Sequence, residues 1–167
     1  MDTKLIKNLV QGGSKSFTVS DAGAWYRLGY VEKNVDFFGE FLILHSWNSN
    51  CPNISKLLIG GAIMGTSRPS FSIKELFSSF AGSAAGTTYI KNKIIKKARV
   101  VHGSPGTSSN IYIDIFVQNT STEFTQKANT WTYKLSTELN PHSCKWVDCA
   151  FGDATIPSGF TVEEFSL

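Results

Sequence analysis

Few side chains in this sequence have the types and spacing that chemistry requires. His142 and Cys144 stand two apart, a spacing that puts both on one face of a strand and sets an imidazole base near a thiol. The pair lacks an orienting third group, and neighbours on one strand face do not by themselves form a productive hydrogen bond. With Cys149, the same two residues offer three zinc ligands, but no fourth lies nearby and the Cys-x-x-Cys pairing of structural zinc sites is missing. Two carboxylate pairs, Asp36 with Glu40 and Asp148 with Asp153, would suit glycoside hydrolysis if a groove held each pair at a working separation. They read instead as solvated loop charges. The glycine-rich run Gly60-Gly61-Ala62-Ile63-Met64-Gly65-Thr66 lacks the lysine of a phosphate cradle and reads as a bulge or a close strand approach. The expectation is a non-enzymatic chain with no catalytic set, no metal and no cofactor.

Two other groups bear on binding. The stretch from His45 to Asn53 joins Trp47 to Asn48, Asn50 and Asn53, setting one flat apolar ring beside amide donors and acceptors. A sugar presents the same mixture of C–H faces and hydroxyls, so these four residues are the candidate ligand site. The basic run Lys91, Lys93, Lys96, Lys97 and Arg99 reads as an edge strand whose lysines block edge-to-edge pairing. It lacks the width and stacking aromatics of a nucleic-acid face, and no nucleic-acid partner is expected.

The elements that must position these residues follow from composition and period. The chain has 167 residues, enough for one sizeable core. Its 17% charged residues fall below the usual share of about a quarter, so Ser, Thr, Asn and Gly must make up the polar surface. With 12 Phe, 5 Tyr and 4 Trp, that profile favours strands joined by turns. The net charge of +3 names no partner. No apolar run reaches the roughly 18 residues of a membrane helix, and the first residues lack an apolar signal core. Synthesis in the cytoplasm without membrane insertion is expected. Cys51, Cys144 and Cys149 cannot all pair within one chain and are read as free thiols.

Residues 1–15 read as an N-terminal arm, with Leu5, Ile6, Leu9 and Val10 at helical spacing and Gly12-Gly13-Ser14-Lys15 as a flexible joint. Residues 16–167 form the folded domain. Period two predicts strands at Phe17 and Val19, Ala24 to Val31, Phe37 to His45, Leu57 to Met64, Thr130 to Ser136, Lys145 to Phe151 and in the closing stretch to Leu167. The firmest pair is the hairpin of Lys93 to His102 with Asn110 to Gln118, around a Gly/Pro/Ser loop. In its second strand Ile111, Ile113, Ile115 and Val117 share one face, and Tyr112, Asp114, Phe116 and Gln118 the other. Between Ser70 and Ala85 a helix competes, because Ile73, Leu76, Phe77 and Phe80 stand at three- and four-residue steps. About eight or nine strands predict an all-β, antiparallel two-sheet β-sandwich with at most one or two short helices.

Three segments taken together carry a family likeness: Gly23-Ala24-Trp25-Tyr26-Arg27-Leu28-Gly29, Gly39-Glu40-Phe41-Leu42-Ile43, and the hairpin Ala98-Arg99-Val100-Val101 with Ile111-Tyr112-Ile113-Asp114-Ile115-Phe116-Val117. Their order and spacing resemble the C-terminal β-sandwich domains of bacteriophage tail-fibre and related minor structural proteins, from about Phe17 to Leu167. The resemblance implies a jelly-roll-like module, commonly trimeric, carried on a virion beside other virion proteins and contacting a host surface glycan or protein. These 167 residues hold no collagen-like Gly repeat and no extended coiled-coil heptads, a departure from the long-fibre pattern that a short fibre tip, a capsid decoration or a truncated chain would all fit. Rival readings are a virion-associated polysaccharide-degrading enzyme and a bacterial surface carbohydrate-binding domain. Aromatic residues on both strand faces, as in Trp25 with Tyr26, Phe37 with Phe38, and Tyr112 and Phe116 opposite the isoleucines, call for cover by loops, by the arm or by another chain. A homotrimer is the expectation.

Overall fold

The computed structural model describes residues 11–18, 22–31, 37–46, 52–62, 69–79, 95–104, 109–118, 127–135, 146–148 and 154–167. Among these residues the regular structure is all strand, in ten segments: β1 (Gln11–Thr18), β2 (Ala24–Val31), β3 (Phe37–Ser46), β4 (Pro52–Ala62), β5 (Ser70–Ser79), β6 (Ile95–His102), β7 (Ile111–Val117), β8 (Lys127–Leu135), β9 (Trp146–Asp148) and β10 (Thr161–Ser166). They form two antiparallel five-stranded sheets, β1-β8-β3-β4-β5 and β10-β6-β7-β2-β9. The expected antiparallel sandwich is therefore the fold. Within the first sheet, β3, β4 and β5 follow one another and β8 returns to lie beside β3, which is one Greek key. A jelly roll is built from two such keys.

The core lies between the sheets and follows from period two. On β7, Ile111, Ile113, Ile115 and Val117 are fully buried, as the alternation predicts. They meet Leu28 and Val31 of β2, Ala98 and Val100 of β6, and, from the opposite sheet, Phe37, Phe41 and Ile43 of β3 with Leu57 and Ile59 of β4. Each such aliphatic side chain contributes roughly 1.5–3 kcal/mol by leaving water. Gly61 serves close strand approach: a Cβ built there would run into the Phe71 ring and lie 2.7 Å from the Ser70 carbonyl oxygen. The β4–β5 register shift falls at Lys56/Leu57 instead, so of the two readings of the glycine-rich run, close approach is the one seen at Gly61.

Three expectations are corrected. The segment from Ser70 to Ser79, where a helix competed, is strand β5. Phe71 and Ile73 turn inward while Ser72 and Lys74 are exposed, and hydrogen bonding to β4 settles the period that the sequence left open. Gly12-Gly13 is not a joint but part of β1, where it pairs with Tyr133 and Thr132 of β8; cross-strand bonds fix the paired glycines. Finally, β6 is not an edge strand, since β10 and β7 flank it. Leu5, Ile6, Leu9 and Val10 lie outside the described residues.

Candidate functional site

The pairing register assembles the most concentrated polar chemistry of the described residues. Asp114 on β7 stands directly opposite Arg27 of β2 on one side and Arg99 of β6 on the other. All three project from the face of the sheet that looks away from the core. Two bulges shape this face. The shift between Arg27 and Gly29 swallows Leu28, so that Arg27 and Tyr30, three residues apart, both flank the Tyr112–Asp114 side of β7. The shift between Ile95 and Lys97 does the same at β6, burying Ile95 in the core while Lys97 stays exposed.

Asp114 is fully buried, and its two arginines nearly so. Arg27 donates from Nε to Asp114 Oδ1 at 2.8 Å and from Nη2 to Oδ2 at 3.3 Å. Arg99 donates from Nε to Oδ2 at 2.9 Å. Each guanidinium also stacks on a ring: Arg27 lies 4.1 Å from the Tyr112 centroid and Arg99 4.2 Å from that of Trp25. Tyr30 and Phe160 pack against Tyr112, and Phe116 packs against Trp25, extending the row at both ends. Buried charges are tolerated when pairing and hydrogen bonds replace the lost water. Here charge-assisted bonds satisfy both carboxylate oxygens, and the electron-rich ring faces meet the cations.

Two cations against one anion leave an excess of positive charge, which main-chain dipoles answer. Arg27 Nη2 donates to the Thr155 carbonyl at 3.1 Å, and Arg99 Nη2 to the Ala154 carbonyl at 2.6 Å. These bonds fasten residues 154–160 against the outer face of the sheet. That strap then turns at Pro157 to Phe160, where the Phe160 amide donates to the Pro157 carbonyl at 3.2 Å and Gly159 takes a φ of 79°. A positive φ at the third turn position is the type II pattern that favours glycine. The strap is held by these main-chain bonds and by the Phe160 ring against Tyr112, while the side chains of Ile156 and Ser158 are exposed. Chemically the row is a clasp: the carboxylate accepts from its own arginines, and the arginines grip carbonyl oxygens.

None of the three charged residues was singled out as a site from sequence. By spacing alone Arg99 belongs to the lysine run, and Asp114 shares a strand face with Tyr112, Phe116 and Gln118. The signal was there for two of them: a single arginine in β2 and a single carboxylate in β7, each inside an otherwise uncharged strand, must find partners if buried. Of the predicted ligand residues, Trp47, Asn48 and Asn50 lie outside the described residues, and Asn53 sits on β4 with its main chain opposite His45 of β3. The turn-rich connection is thus shorter than the sequence suggested, because the ladder runs on to Ser46 and Pro52. His142, Cys144, Cys149, Cys51, Asp36 and Asp153 also fall outside the described residues. Asp148 lies on β9 opposite Gly29. Glu40 is no loop charge: it lies on central strand β3 and pairs with Lys56 at 3.1 Å. Of the basic run, Lys97 pairs with Glu164 at 3.5 Å, both about half exposed. Among the described residues no cluster of three or more His, Cys, Asp or Glu could hold a metal, and no helix is long and apolar enough to cross a membrane. No family model, curated protein or solved structure matches this chain.

Proposed function

We propose that the chain is a non-enzymatic virion structural module, a tail-fibre or fibre-tip domain that associates with copies of itself and contacts a host surface glycan or protein. The observation that supports this reading is the use made of the buried charges. Arg27, Asp114 and Arg99 bind one another and the strap carbonyls, so the strongest polar groups of the described residues stiffen a sandwich instead of facing a substrate. A rigid antiparallel sandwich presenting loops at its ends suits a particle-surface binding module. The order of the three sequence segments that resemble phage fibre domains supplies the virion context. Trp25, Tyr112 and Phe116 are partly covered within the chain by guanidinium and ring stacking, whereas Leu76 and Ile156 are exposed at 43% and 41% and offer apolar contact to another chain.

Light scattering of the full chain at micromolar concentration, with a parallel assay for reducing ends released from bacterial polysaccharides, tests the proposal. The expected mass is three times the 18.3 kDa chain, with no release of reducing ends. A clean monomer overturns the self-association, and release of reducing ends overturns the non-enzymatic reading.

A further inference from the structure

At the far end of β6, on the core side of the sheet, a second titratable group is built into the fold. His102 is 2% exposed, and its ring centroid lies 5.1 Å from that of Phe71 on β5 of the opposite sheet. Its Nδ1 is 2.8 Å from the Gly103 carbonyl oxygen. A carbonyl oxygen only accepts, so Nδ1 carries a hydrogen, and a neutral ring then holds a bare lone pair on Nε2. That nitrogen is buried without a hydrogen-bond partner, and Glu163 Oε1 of β10 lies 3.5 Å away. Of the described elements packed around the ring, β7 presents Ile111 in register and β5 presents Phe71. Glu163 is therefore the titratable group that faces it. A lone pair directed at a carboxylate oxygen repels it, whereas one proton between them makes a charge-assisted hydrogen bond.

We propose that His102 and Glu163 hold a proton between them, and that this proton fastens strand β10 to β6. The fastening is present while Nε2 is protonated and is lost as rising pH removes that proton. The geometry sets its strength. Nε2 is cut off from water, but the Glu163 side chain is 37% exposed, so solvent screens part of the attraction. The effect reaches β10 as a unit: its neighbour Glu164 pairs only with half-exposed Lys97, and the strand has β6 as its one ladder partner among the described strands.

The test uses the full chain with ¹⁵N-labelled histidine, following the His102 ring nitrogens by NMR across pH. In parallel, amide exchange of residues 162–166 is measured relative to that of β7, after correction for intrinsic rates. The expected result is a fall of about threefold in relative β10 protection, the size of a partly screened charged hydrogen bond, in step with loss of the Nε2 proton. In Glu163→Gln the amide satisfies either state of Nε2 and the step disappears; His102→Gln loses it as well. Relative β10 protection that stays constant while the ring titrates, or a step that survives in Glu163→Gln, overturns the proposal.

Discussion

Replacing Asp114 by alanine should unfold a large part of this protein's margin of stability. The carboxylate is fully buried and accepts three hydrogen bonds from two guanidinium groups that are themselves almost wholly enclosed. Its removal leaves two cations facing each other across the vacated space, with only the strap carbonyls and the ring faces to compensate. Breaking a buried ion pair from one side costs about 3–5 kcal/mol, against a total of roughly 5–15 kcal/mol for an ordinary domain. With a urea m-value near 2 kcal/mol/M, the unfolding midpoint should drop by about 1.5–2.5 M. Tryptophan fluorescence is a suitable probe, since Trp25 lies against Arg99. Glu164→Ala is the matched control: it removes a carboxylate paired with Lys97, both about half exposed, and should cost at most about 1 kcal/mol. The combined replacement Arg27→Met, Asp114→Leu and Arg99→Met should recover most of the Asp114→Ala loss, because apolar residues of similar volume do not leave a charge uncompensated. A loss below about 1 kcal/mol for Asp114→Ala, in the range of ordinary surface changes, would refute the reasoning and mean that water already reaches the row.

Two further outcomes follow from the packing. Gly61→Ala should lower the thermal midpoint, at about 1–3 kcal/mol for overpacking, because the new methyl meets the Phe71 ring and the immovable Ser70 carbonyl; an unchanged midpoint in a calorimetric scan would contradict the close approach. Burial raises the Tyr26 hydroxyl above its ordinary value of 10.0, so the stability this group contributes is full below about pH 10 and is lost as pH rises through the raised folded value. Urea midpoints of the parent and Tyr26→Phe, compared between about pH 9 and 11, should show a shallower alkaline loss in the variant; parallel curves would sink the assignment.

Much of the fold was legible because its cause is local. Alternation of side chains along an extended chain depends only on the chain itself, so Ala24–Val31 stands where the period put it, and Ile111, Ile113, Ile115 and Val117 form the buried face of β7. The hairpin of β6 with β7 is likewise local, two strand-forming runs joined in sequence by a stretch of turn formers. Where a segment satisfies two periods, as Ser70–Ser79 does, the sequence has no arbiter, and hydrogen bonds to β4 choose the strand. The clasp was out of reach for a stronger reason. Arg27 and Asp114 are 87 positions apart, and Arg99 grips a carbonyl 55 positions away. Nothing near Asp114 in the sequence states that β2 and β6 flank it, that a bulge at Leu28 brings Tyr30 onto the same face as Arg27, or that the strap covers the row. The sequence by itself determined which residues alternate and which face is oily. Only the tertiary structure decided which strands are neighbours and in what register, because that choice is made by ladder bonds and side-chain burial summed over the whole sheet, and it is the register that turns three scattered charges into one site.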